Sequence, residues 1–166
     1  MTVSVSRLRD RRFNGYLKVR LPHPLDAEVK AVVVAYWAGS AEGKEGLLEG
    51  VDGRVAGVLN AYAQRMASIA VRTGSVDDLR RGVVAAALAH GRLDDYRNSL
   101  FVLSTVHDSA SLIGTSLGKV LDGLKGVLPP AGLDTLRTFD RRDERSKSLK
   151  AFGRRRSGAG DTFRYV

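Results

Sequence analysis

Residues 74–97 read GSVDDLRRGVVAAALAHGRLDDYR, and two features of this stretch decide the fold. The motif at 74–80, Gly-x-aliphatic-Asp-Asp-Leu-Arg, returns at 91–97 as GRLDDYR, 17 positions later. The apolar spacing returns with it. Val76, Leu79, Val83, Ala86 and His90 recur at steps of three and four, as do Leu93, Tyr96, Leu100, Leu103 and His107. That period places side chains on one face of an α-helix. A turn at His90-Gly91-Arg92 is short enough to make the two predicted helices antiparallel neighbours. Within the first, VVAAALA (83–89) is apolar almost all round. Such a helix is buried between others, and its alanines let them approach closely.

The doubled acids, Asp77-Asp78 and Asp94-Asp95, invite a reading as acid–base or cation-binding pairs. Carboxylates sharing acid–base work must oppose one another around a substrate, whereas adjacent residues diverge around a helix. Both pairs fall in a predicted first turn, where a carboxylate meets unpaired N–H groups and the positive end of the helix dipole. Ser75 with Asp78 also matches the S-x-x-[DE] capping box. The acids are therefore read as helix starts, with Arg80 and Arg97 on the solvent side.

Upstream, PHPLD ends at Asp26, the expected N-cap of AEVKAVVVAYWAG, which Gly39 closes; the Val-rich centre also admits a strand. From about Glu42 to Arg72 one helical stripe runs through Val55, Leu59, Tyr62, Met66 and Ile69, stopped by Thr73-Gly74. Downstream, Leu117, Val120, Leu121, Leu124 and Leu128 predict a helix from Thr115, as N-cap, to Pro129-Pro130, with Gly118 at a close helix contact. GLDTLRTFDRR then resembles a shortened third copy of the motif at Gly132, Leu133, Asp134, Leu136 and Arg137. The predicted class is all-α: an irregular antiparallel helical bundle or a short helical-repeat-like array. A helical domain at 22–145 is expected between a basic, extended or weakly structured N-terminal arm at 1–21 and a basic C-terminal tail at 146–166. The closing TFRYV of that tail is expected to dock on the domain.

Charge is segregated along the 166 residues. The formal net charge is +9, of which residues 1–20 carry +5 and residues 137–166 carry +6, leaving −2 for the middle. A near-neutral body with two basic ends attracts anions, whether nucleic acid or an acidic protein surface. The chain has no Cys, which removes disulfides, thiolate nucleophiles and cysteine zinc sites and agrees with a reducing compartment. No run approaches the roughly 18 apolar residues of a membrane span, and MTVSVSRLRDRRFNGY has no apolar secretion core. A cytoplasmic location without membrane contact is expected.

Candidate chemistry is sparse. Ser104, His107 and Asp108 are the residue types of a hydrolase triad, yet all three sit within five positions of one predicted helix, and a triad draws its members from separate elements. His90 and His107 lie on the order of 20 Å apart along the predicted hairpin, too far to share a metal. Both continue apolar stripes, so each reads as a core or half-buried histidine, and His23 in PHP as a loop residue. GTSLGKV (114–120) lacks one spacer residue and the hydroxyl of a phosphate-binding loop, and follows a predicted helix rather than a strand. No metal set and no cofactor motif emerge. The basic ends offer Arg7, Arg9, Arg11, Arg12, Arg154, Arg155 and Arg156 as anion or nucleic-acid contacts. The expected function is a non-enzymatic protein-interaction or regulatory module that binds another protein or itself. Nucleic-acid binding through the basic ends is the alternative. An enzyme with a pocket at Tyr96, Arg97, His107 and Asp108 is a third reading.

Overall fold

The computed structural model describes residue 3 and residues 5–9, 23–91 and 100–138, with the side chains of Arg7, Arg9, Leu100 and Phe101 left aside. The described elements are a 3-10 turn, Val5–Arg9, then α1 (Leu25–Ala38), α2 (Ala41–Glu49), α3 (Gly53–Thr73), α4 (Val76–His90), α5 (Leu100–Leu112) and α6 (Leu117–Asp122). The last helix among the described residues, α7, covers 130–138. The fold is all-α, and the Val-rich segment that admitted a strand is α1. Its central valines alternate in burial as a helix requires: Val29, Val32 and Val33 are buried while Val34 faces out.

The described part of the quoted stretch, 74–91, forms the centre. Residues 82–89 of α4 are all buried, and α4 contacts α1, α3, α5 and α6. Ala85, Ala86, Ala87 and Ala89 supply little volume, so neighbouring helices approach from several sides. The broadest of these contacts is with α3, which presents Val55, Leu59, Tyr62 and Met66. Gly74 ends α3 with φ 72° and Gly91 ends α4 with φ 66°. The repeated glycine of the motif therefore marks the left-handed residue where a helix stops, a conformation costly for a residue with a Cβ. Gly132 differs, lying inside α7, so the third motif copy keeps the leucines and the arginine but not the turn. Leu133 and Leu136 are buried.

Asp77 and Asp78 do occupy the first turn of α4, but the capping box is not formed. The Ser75 side chain makes no cap bond; Asp77 accepts from Arg80 (2.8 Å) and Asp78 from Arg81 (2.8 Å), one helical turn on. Nor is Arg80 free in solvent. Its guanidinium lies over Gly123 at the end of α6, where a Cβ would sit, and its buried Nε makes no hydrogen bond among the described residues. Asp94-Asp95 and the turn at residue 92 lie outside the described residues.

Five further expectations are corrected. Asp26 is the second residue of α1, not its N-cap: His23 N–H donates to Asp26 Oδ2 (2.9 Å), and Leu25 N–H donates to His23 Nδ1 (3.0 Å). The predicted 42–72 helix is two, because Asp52 caps α3 by accepting from Val55 N–H (3.0 Å). The helix predicted from Thr115 to Pro129 starts beside Ser116, which accepts from Lys119 N–H (3.2 Å), and ends at Asp122. Gly118 meets no neighbouring helix, and the close approach is instead at Gly82, whose Cβ would stand 3.2 Å from the Ala63 carbonyl. Finally, Val5–Arg9 is not extended. Val5 and Leu8 are buried, and the 3-10 turn packs on α1 and α3. The rest of the predicted arm and the 146–166 tail lie outside the described residues.

Candidate interaction groove

Three short-range rules assemble one concave surface. Ser40 caps α2, its Oγ accepting from Gly43 N–H (3.2 Å), and this sets Lys44 one turn into the helix. After α6 the chain turns on Leu124, whose carbonyl accepts from Val127 N–H (3.0 Å) and Leu128 N–H (3.1 Å). Pro129-Pro130 then restarts a helix: the Pro129 carbonyl accepts from Leu133 N–H (3.0 Å), and Pro130 takes the first helical position, where its missing N–H costs nothing. The facing surfaces enclose an open groove of about 590 Å³, within the range of ligand-holding clefts.

Its floor is apolar and its rim is charged. The buried Val127, Leu128 and Leu133 form the base and the exposed Pro129 and Pro130 line it too, while Lys44, Lys125 and Arg137 stand around it against one carboxylate among the described residues, Asp134. Lys44 is held in place: its Nζ donates to the Val127 carbonyl (2.6 Å) and sits 5.2 Å above the centre of the Tyr36 ring. Burial raises the Tyr36 phenol pKa, so the ring beneath Lys44 stays neutral. Arg137 is committed to Asp122 (2.6 Å), which ties α7 to α6. Among the described residues neither Lys44 nor Lys125 has an ion-pair partner.

A second hollow, of about 450 Å³, lies beside the first and shares Gly39 with it. Gly43, Gly46 and Gly50 line it, with Val3, Val5 and Leu47.

At the other end of α1 a polar cluster holds helices together. Arg65 of α3 reaches Asp26 of α1 with both arms, Nε to Oδ1 at 3.1 Å and Nη2 to Oδ2 at 2.9 Å, and its side chain is 7% exposed. Tyr62 lies in the same region. Burial pushes its phenol up to about 12, opposed by Arg81 and reinforced by Asp26 and Asp78.

Of the residues predicted to act, only His107 and Asp108 have their side chains among the described residues. His107 is buried on α5, 8% exposed, with Nδ1 3.6 Å from Asp108 Oδ1, longer than a hydrogen bond. Ser104 is buried one turn before it. Neither line of the two grooves includes His107 or Asp108. His90 is half-buried, its Nε2 3.4 Å from Asn60 Nδ2. Tyr96, Arg97, Arg11, Arg12, Arg154, Arg155 and Arg156 lie outside the described residues, and of Arg7 and Arg9 only the backbone is described. Among the described residues no three His, Asp or Glu side chains gather as a metal shell, and no helix is long and apolar enough to cross a membrane.

Sequence reasoning missed the groove because its lysines are 81 positions apart and neither belongs to a charged run. The legible signal was the pair Ser40 and Pro129-Pro130, a helix start and a helix restart, but nothing local shows that they face each other. No family model, curated protein or solved structure matches the chain.

Proposed function

We propose that the chain is a protein-interaction module of the cytoplasm, and that the groove between α2 and the 125–137 segment is its binding surface. One observation carries the reading: an apolar floor is rimmed by lysines that have no ion-pair partner among the described residues. An apolar base excludes water and supplies affinity, and a charged rim supplies orientation. The Arg-rich ends add long-range attraction for a negatively charged partner, because the net charge is +9.

Position 41 tests the reading. Ala41 is exposed, lines the groove and opens α2, so a photo-crosslinking residue there leaves the core untouched. In living cells it should give a discrete protein adduct that is absent when the same residue replaces Ser68, exposed on α3. Equal background at both positions removes the groove as the surface; adducts to nucleic acid instead favour binding through the basic ends.

A further inference from the structure

The rim chemistry selects among possible occupants, an inference that rests on the groove being a binding surface. An ammonium has three protons to donate, and Lys44 commits one to the Val127 carbonyl. With the Tyr36 ring beneath it, Lys44 has already lost much of the rotamer freedom that an exposed lysine gives up on pairing. A carboxylate arriving there therefore pairs at lower entropic cost than at an ordinary surface lysine. Lys125 offers a second, exposed ammonium across the apolar floor. Arg137, by contrast, is neutralised by Asp122.

We infer that the groove binds an acidic peptide segment of a partner protein, with an apolar side chain on the Val127, Leu128 and Leu133 floor and flanking carboxylates on Lys44 and Lys125. Asp134 on the same wall argues against a continuous polyanion, since a phosphate backbone tracking the groove would pass a carboxylate. Among the described residues the lining presents no open aromatic face for a base: the Tyr36 ring is 5% exposed and covered by Lys44.

Selection from a displayed library of random peptides on the immobilised full chain tests this, with counter-selection on Ala41→Trp, which fills the groove from an exposed position. The expected enrichment is for Asp or Glu flanking Leu, Ile or Phe. A recovered peptide, followed by fluorescence anisotropy, should bind about fivefold more weakly to Lys125→Glu and to Lys44→Gln, and more weakly still as salt rises. Groove-dependent peptides that are uncharged or basic would overturn the acidic chemistry while leaving the groove as a binding surface. Enrichment indifferent to Ala41→Trp would overturn both. Displacement of the peptide by a short oligothymidylate, weakened by the same lysine variants, would assign the groove to nucleic acid and also overturn the inference.

Discussion

Arg65 shows what a single charged side chain does inside a helical core. Its two-armed bond to Asp26 links α3 to the start of α1 where solvent scarcely reaches. Removing one partner of a buried pair takes away the remaining group's main charge compensation, which costs up to about 3–5 kcal/mol. Arg65→Met should therefore lower the urea midpoint by that equivalent, whereas Arg72→Met, on the exposed last turn of the same helix, should change it little. Tyr62 gives a pH signature of the same region. Below its ordinary pKa of 10 the phenol is protonated in both folded and unfolded chains. Between pH 10 and about 12 the unfolded chain loses the proton first, so the folded state is progressively disfavoured. A shift of this size corresponds to about 2–3 kcal/mol lost across that window. Tyr62→Phe should abolish that part of the alkaline slope, and a phenolate absorbance titration should place Tyr62 as the last of the tyrosines to ionise among those of the described residues.

Among the helices, glycine separates loose contacts from tight ones. Gly46, inside α2, would place a Cβ in open space, so Gly46→Ala should stabilise by up to about 1 kcal/mol through helix propensity. Gly82 in α4 would place it 3.2 Å from the Ala63 carbonyl and 3.6 Å from Met66 Cβ. A backbone carbonyl yields less readily than a side chain, so Gly82→Ala should destabilise by about 1 kcal/mol or more despite the same propensity gain. Opposite signs for two identical substitutions, read by thermal unfolding, would confirm which helix pair is closest. The element level was also the most legible in sequence. Leu79, Val83 and Ala86 carry a pure helical period, and they are buried as that period requires. Helix ends were less legible, because several side chains compete for each cap. Asp26 was drawn to Arg65, 39 positions away, and the acids beside Ser75 to arginines one turn on. The groove was illegible for a related reason: Lys44 meets the Val127 carbonyl across 83 residues, and no local pattern encodes such a meeting.

For the whole molecule, the N-terminal residues decide how much of the chain is one cooperative unit. Leu8 is 1% exposed, and a Cβ on Gly50 would run into Val5, so the 3-10 turn is seated in the core. Leu8→Ala should cost about 2–5 kcal/mol in denaturant unfolding, as for a core leucine, whereas a loosely attached arm would give almost no change. The chain order of the central contacts carries a consequence for folding in time. Only Gly74 and Ser75 separate α3 from α4, so the broadest helix contact closes a loop of two residues. Native-state amide exchange should accordingly be slowest in residues 83–89 and faster in α2, which has no buried residue. During synthesis, however, α1 leaves the ribosome before α2, α3 and α4, the helices that pack on it. Val29, Val32 and Val33 are thus made early and sheltered late, which makes the nascent N-terminal third, rather than the finished protein, the species with the greatest need of a chaperone.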